Sequence, residues 1–163
     1  MGERVSDGRM AVERPSEREM VVTRVFDAPV RMVFDAWTKP ELFQLWWAPK
    51  SSGVPMLSCE MDVRTGGGYR ITFQRDGGQA MAFFGKYIEV SPPSRLVWTN
   101  EEGPDGSVTT VTFEEEEDGR TRLTLRELYP SKEALDAAAG MEDGMAEQFG
   151  QLDDLLASLG AGA

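Results

Sequence analysis

The chain has 163 residues, with 17 lysine and arginine side chains against 28 aspartate and glutamate side chains, which gives a net charge of −11 at neutral pH. This charge opposes binding to nucleic acids and to anionic membrane surfaces, because both associations depend on cationic side chains that neutralise phosphate groups. The absence of histidine excludes the usual general base, the histidine-activated nucleophiles and most transition-metal sites. The single cysteine, Cys59, can form neither an internal disulfide nor a cysteine–histidine metal cluster. We expect no metal and no cofactor.

The composition is that of a globular protein, with 40% hydrophobic and 28% charged residues. No apolar run approaches the roughly 20 residues that span a membrane, and the charged N-terminal segment lacks the apolar core of a secretion signal. We therefore expect a cytoplasmic protein with no membrane partner. Residues 1–17 show no periodicity and predict a disordered lead-in, followed by one domain over residues 18–160.

The ordered chain is predicted to begin with a strand and two short helices. The run "EMVVTRVF" is apolar and β-branched, and it ends before Asp27 and Pro29, as is typical of a strand. Pro29 then suits a helix start, and Val33, Phe34 and Trp37 follow at helical spacing. Lys39-Pro40 breaks this helix, so we expect a second short helix after it.

From Met56 onward the apolar period changes to two. Six runs of this kind are separated by short turn signals such as "TGGG", "RDGGQ" and "PPS", which predicts an antiparallel meander. We interpret "RTGGGYR" as a hairpin turn and not as a phosphate loop, because it joins two strands and opens no helix. A long helix should follow from about Ser131, a suitable N-cap, to about Leu159. The fold class is therefore α+β, with a curved antiparallel sheet of about seven strands wrapped on the C-terminal helix.

The C-terminal helix has an apolar stripe and two glycines. Met141, Met145, Phe149, Leu152 and Leu156 recur every three or four residues and should face the sheet. Each of Gly140 and Gly144 costs a helix about 1 kcal/mol relative to alanine. Both glycines are explained if the helix lies over a cavity or contacts the sheet closely. Gly140 has a second explanation, namely that it separates a short helix from the main one.

Two polar residues are expected on the inner face of the sheet. If Thr121, Leu123 and Leu125 face the core, period two turns Glu127 inward as well. By the same argument Asn100 shares a face with Trp98. Either residue is a candidate polar anchor for a ligand, unless the strand ends before Glu127.

The chain resembles the family named after the C-terminal domain of the activator of the Hsp90 ATPase, within the START/Bet v 1-like helix-grip (SRPBCC) superfamily. The resemblance is carried by "FDAPVRMVFDAWTKPELFQLWW", "CEMDVRTGGGYR", "GKYIEVSPPSRLVWT" and the C-terminal helix, and covers residues 19–159. It implies a cavity between the sheet and the long helix that holds an apolar molecule.

The leading hypothesis is a binding module for a small apolar, lipid-like or polyketide-like molecule. The alternatives are a polyketide cyclase or hydratase-like enzyme that uses cavity carboxylate or tyrosine groups, and an Hsp90-type chaperone interaction module. No catalytic residue is assigned, and a homodimer is left open. The candidate cavity-lining residues are Trp37, Trp46, Trp47, Met61, Tyr69, Ile71, Phe73, Phe84, Tyr87, Trp98, Asn100, Glu127, Met141, Gly144, Met145 and Phe149.

Overall fold

The computed structural model describes residues 4–7, 10–47, 56–74, 80–101, 106–116, 119–137 and 141–161. Its main feature is one antiparallel sheet. Its nine described strands are β1 (Arg4–Asp7), β2 (Met10–Ser16), β3 (Glu19–Phe26), β4 (Met56–Met61), β5 (Gly68–Gln74), β6 (Ala80–Ser91), β7 (Arg95–Thr99), β8 (Val108–Glu115) and β9 (Thr121–Leu128). Their order is β1-β2-β3-β9-β8-β7-β6-β5-β4. The strand that follows the lead-in therefore pairs with the last strand of the meander.

The seven predicted strands correspond to β3 through β9, and β1 and β2 come from the segment expected to be a disordered lead-in. That expectation is wrong for residues 10–16, which pair with β3 and place Val12 opposite Val22. Met10 and Val12 are both buried in the core. The sequence hides this strand because its apolar run, Met10 to Val12, is only three residues long and is flanked by charged residues.

Two short helices, α1 (Val30–Thr38) and α2 (Pro40–Phe43), follow β3 as predicted. Pro29 is the N-cap of α1, and Lys39, with an extended backbone, separates the two helices. The buried residues of α1 include Val33, Phe34 and Trp37, so the helix turns its predicted apolar face to the core.

The turn between β4 and β5 is the predicted hairpin. The backbone N–H of Asp62 donates to the carbonyl of Gly68 at 2.8 Å, and Gly66 has a φ of 88°, a conformation that favours glycine. At the surface, the Arg64 Nε contacts the Asp62 carboxylate at 2.9 and 3.0 Å. The glycine-rich segment is thus accounted for by turn geometry.

The C-terminal part is described as two helices, α3 (Lys132–Ala137) and α4 (Met141–Ala161). The Ser131 hydroxyl accepts a hydrogen bond from the Ala134 N–H at 3.1 Å, which is the geometry of the predicted N-cap. Gly140 lies outside the described residues. None of the described helices is long and apolar enough to cross a membrane.

Helix α4 covers one face of the sheet with the predicted stripe. Met145, Phe149, Leu152 and Leu156 are all buried in the core, while the side chain of Met141 lies outside the description. The Phe149 ring meets the Phe26 ring edge to face, with centroids 5.6 Å apart. The sheet therefore grips this helix.

Polar contacts fix α4 along its length. The side-chain amide of Gln148 donates to the Trp47 carbonyl, and that of Gln151 donates to the Trp46 carbonyl at 2.9 Å. Elsewhere on α4, Asp153 forms an ion pair with Arg24 of β3. These contacts hold the helix against both the sheet and the segment after α2.

Candidate functional site

A row of cross-strand partners crosses the face of the sheet that α4 covers. Residues that pair directly in an antiparallel sheet share a face, and Phe26 marks the face under α4 because it contacts Phe149. By the alternation of β3, Met20 lies on that face too. The row of partners runs through Met20, Glu127, Thr109, Trp98 and Tyr87. It places a carboxylate and a hydroxyl beside two aromatic rings.

Glu127 is a buried carboxylate, with 9% of its surface exposed. The Ser107 hydroxyl donates to its Oε2 at 2.6 Å and the Thr109 hydroxyl donates to its Oε1 at 2.9 Å. The strand runs on to Leu128, so the alternative in which it ends before Glu127 is wrong. Two hydroxyl donors offset part of the cost of burying the carboxylate.

Asn100 organises the hydroxyls that hold Glu127. Its Nδ2 donates to the Ser107 and Thr109 hydroxyls, each at 3.0 Å. Its Oδ1 lies 3.2 Å from the Tyr69 hydroxyl, which also donates to the Thr99 carbonyl at 2.7 Å. A single hydrogen-bonded network therefore runs from Tyr69 through Asn100 to the carboxylate.

Gly85 allows the Tyr69 end of this network to form. A Cβ at this position would lie 1.8 Å from the Thr99 carbonyl oxygen and 3.0 Å from Cε1 of Tyr69. Only glycine lets the backbone of β6 pass so close to residue 99. The sequence contains this glycine within "FFGKY", but its spacing alone does not reveal the contact.

Aromatic rings form the other side of the site. The Tyr69 and Tyr87 rings are 5.8 Å apart, Tyr87 and Trp98 are 6.4 Å apart, and Trp98 and Trp37 are 6.0 Å apart. Burial raises the pKa of Tyr87 above its ordinary value, with a smaller contribution from Cys59. Tyr69 and Trp98 are only half-buried although they face inward.

Trp37 carries an unsatisfied donor. Its side chain is 1% exposed, and its Nε1 is a buried atom without a hydrogen-bond partner, the only one among the described side chains. A buried polar group left without a partner costs about 1–3 kcal/mol. By contrast, the Nε1 of the fully buried Trp46 donates to the Ala36 carbonyl at 2.9 Å.

The structure separates the predicted cavity residues into three groups. Those at the network and its aromatic side are Trp37, Tyr69, Tyr87, Trp98, Asn100 and Glu127. Those packed in the core are Trp46, Ile71, Phe73, Met145 and Phe149, while Trp47 and Met61 are half-buried against the core. The side chain of Met141 and the surroundings of Gly144 lie outside the described structure.

Phe84 lies on the other face of the sheet. It pairs with Arg70, whose guanidinium carbon lies 5.4 Å from the centre of its ring, whereas the neighbouring Phe83 pairs with buried Ile71. Its assignment to the cavity is therefore corrected. Both rings belong to one continuous apolar run, so period two did not distinguish the inward from the outward ring.

An open groove of about 630 Å³ lies beside the Tyr69 end of the network. Met61, Tyr69 and Gly85 of the inner face line it. Outward-facing residues complete the lining, namely Glu60, Asp62, Arg70, Phe84, Lys86 and Glu101. The half-buried Tyr69 ring is therefore accessible from this groove.

Sequence reasoning missed Ser107 and Thr109. Thr109 shares its face with Val111 and Phe113 through the alternation of β8, so a signal for its inward direction was present. Among the residues that the structure describes, no group of three or more cysteine, aspartate or glutamate side chains is placed to hold a metal ion. The site therefore provides hydrogen-bonding groups and aromatic ring surfaces that could contact a ligand.

The architecture has a counterpart among known families. The family model described as "Activator of Hsp90 ATPase homolog 1-like protein" matches residues 27–157. The chain belongs to this family. The match runs from α1 to most of α4 and so includes every residue of the hydrogen-bonded network. No curated protein matches the chain significantly.

Solved structures share the fold over almost the whole chain. A protein from Rhodobacter sphaeroides is 28% identical, covers 92% of this chain and 99% of its own, and superposes with a TM-score of 0.84. A protein from Nitrosomonas europaea is 25% identical over 91% of this chain and 99% of its own, with a TM-score of 0.79. A protein from Staphylococcus epidermidis is 26% identical over 89% and 93% of the two chains, with a TM-score of 0.77. Family and fold together make the chain a helix-grip module of the general ligand-binding kind.

Proposed function

We propose that this member of the family binds a small, largely apolar molecule between the sheet and α4, with a polar end of the molecule at the Glu127 network. One observation carries the proposal, namely a hydrogen-bonded carboxylate beside inward-facing aromatic rings that are only half-buried. A ligand that covers Tyr69 and Trp98 would remove their remaining apolar surface from water.

The energetic argument supports the same conclusion. Replacing buried charged and polar groups by well-packed apolar side chains is often neutral or stabilising. The carboxylate, the amide and the two hydroxyls on the face under α4 therefore stabilise the fold less than well-packed apolar side chains would. Polar groups of fixed orientation within an apolar pocket are instead the usual means by which a binding site selects its ligand.

Binding of N-phenyl-1-naphthylamine, a neutral probe that fluoresces in apolar sites, tests the proposal. The probe should fluoresce with the wild-type protein and quench tryptophan emission. Trp98→Leu should weaken binding at least about fivefold, because a large ring surface is lost from the site. Ile88→Ala is the control, since this exposed side chain of β6 does not line the groove beside Tyr69, and the variant should bind the probe like wild type.

Equal binding by both variants and the wild type would contradict the proposal, as would the absence of any binding. Mass spectrometry of small molecules extracted from the purified protein gives an independent test. We expect a neutral, largely apolar compound that the Trp98→Leu protein retains in smaller amount.

A further inference from the structure

Trp37 has a hydrogen-bond donor that the fold leaves unused. Its ring is 1% exposed and its Nε1 has no partner, whereas the neighbouring buried Trp46 donates its N–H to a backbone carbonyl. The same short segment thus satisfies one indole and not the other. Buried donors in native proteins are nearly always paired, so this exception requires an explanation.

The surroundings of Trp37 limit what the missing partner can be. Its ring lies within 6.5 Å of the rings of Phe43, Trp46, Trp47, Trp98, Phe113 and Phe149, measured between centroids. A charged acceptor would lose its hydration among these rings. A neutral acceptor, of which the carbonyl oxygen is a strong example, loses much less. Flat ring systems also pack well against such surfaces.

The Trp98 ring connects Trp37 with the polar network. It lies 6.0 Å from the Trp37 ring, and its strand partner Thr109 donates to the Glu127 carboxylate. Since the oxygens of the Glu127 side chain accept hydrogen bonds, this end of the site suits a ligand that carries a hydrogen-bond donor there.

We propose that the ligand is a neutral, ring-containing molecule whose carbonyl oxygen accepts a hydrogen bond from the Trp37 indole N–H. This inference rests on the proposed function and adds the chemical class of the ligand. It makes Trp37 a residue that selects among apolar molecules, and it assigns the unused donor a partner that is present only when the site is filled.

A pair of naphthalene probes isolates the carbonyl group. The first is 6-propionyl-2-(dimethylamino)naphthalene, an aryl ketone whose emission responds to hydrogen bonds at its carbonyl, and the second has a propyl group in place of the propionyl group. The wild-type protein should bind the ketone at least about fivefold more tightly, the factor that one neutral hydrogen bond of ordinary strength supplies. Trp37→Phe should abolish this preference. Trp46→Phe is the control, because the N–H that it removes already has a partner inside the protein, and it should retain the preference.

The four indole N–H signals of the chain provide a second measurement on the wild type alone, which does not depend on the folding of a variant. The Trp37 proton should shift downfield when the ketone is added, while the Trp46 proton should shift much less. An unchanged Trp37 signal would indicate that the N–H points at a neighbouring ring face and would overturn the inference.

The two proposals fail in different ways. Equal affinity of the wild type for both naphthalenes would overturn the role of Trp37 and leave the binding function intact. Failure of both naphthalenes to bind a protein that binds N-phenyl-1-naphthylamine would overturn only the ligand class, and failure of all three probes to bind would overturn both proposals.

Discussion

Gly85 shows how one residue without a side chain supports the network of the candidate site. The space for its Cβ is taken by the Thr99 carbonyl, and this close approach brings that carbonyl within reach of the Tyr69 hydroxyl. Gly150 of α4 provides a contrast, because a Cβ there would meet nothing within 4 Å. The two glycines therefore predict opposite effects of the same substitution.

Gly85→Ala should destabilise the protein by about 2 kcal/mol or more, since the new methyl group would clash with backbone that cannot easily move. Gly150→Ala should leave stability unchanged or raise it by up to about 1 kcal/mol, because it removes the helix penalty of glycine. Urea unfolding of the two variants and the wild type measures both effects. A fully stable Gly85→Ala protein would show that β6 and residue 99 are not in close contact.

Cys59 is half-buried next to Met61, and its burial raises the pKa of the thiol to about 11. Only the thiolate reacts with iodoacetamide. At pH 8.5 the folded protein should therefore be alkylated at least about tenfold more slowly than the urea-unfolded chain, whose thiol has an ordinary pKa of about 8.5. The rate for the folded protein should rise as the pH is raised toward 10. Mass spectrometry can follow the reaction at this single cysteine, and equal rates for folded and unfolded chain would refute the prediction.

Among the elements, β2 is the one whose contribution the sequence hides. It pairs with β3 and buries Met10 and Val12, which extends the hydrophobic core beyond the seven predicted strands. If residues 1–17 were a disordered lead-in, their deletion would leave the thermal midpoint within about 2 °C, a shift below about 1 kcal/mol. The buried side chains lead us to replace that expectation.

Val12→Ala should cost about 1–3 kcal/mol, because it removes buried apolar surface and leaves a cavity against Val22. Deletion of residues 1–17 should lower the thermal midpoint by more than about 4 °C, since both buried side chains are lost. Glu17→Ala is the control, because this exposed side chain should contribute less than about 0.5 kcal/mol. Thermal unfolding of the three proteins is the measurement. A truncated protein as stable as the wild type would mean that β2 does not contribute to the core in solution.

The whole molecule carries a large negative charge, −11, and most of its described ion pairs are exposed. Exposed pairs contribute little to stability, while the excess of negative charge opposes the compact state. Salt screens this repulsion between negative charges, so added salt should make the folded protein more stable.

Raising the NaCl concentration from about 0.01 M to about 0.15 M shortens the Debye length from about 30 Å to about 8 Å. The thermal midpoint should rise by a few degrees over this range. Sodium sulfate also strengthens apolar burial, so sodium chloride is the appropriate salt. A midpoint that falls with added NaCl would indicate that attractive ion pairs outweigh the overall repulsion.

Sequence patterns correctly predicted those features of the fold that depend on a single strand or helix. An apolar, β-branched run identified β3, and period two identified β4 to β9 and turned Glu127 inward. Pro40 separated the first two helices, and the apolar spacing of α4 placed Phe149 on the sheet. These features depend on the repeat of one strand or helix, which neighbouring residues specify. Composition alone gave the absence of histidine and the net negative charge, and both limit the chemistry expected of the site.

Only the tertiary structure decided which of these residues meet. Ser107, Thr109 and Asn100 converge on Glu127 because β7, β8 and β9 pair in one particular register, and periodicity within a strand does not specify that register. For the same reason the sequence did not place Phe84 on the outer face or pair β2 with β3. The unsatisfied N–H of Trp37 depends on contacts with α2, β7, β8 and α4 together. Such a feature belongs to the packing of distant segments, so no local pattern of residues records it.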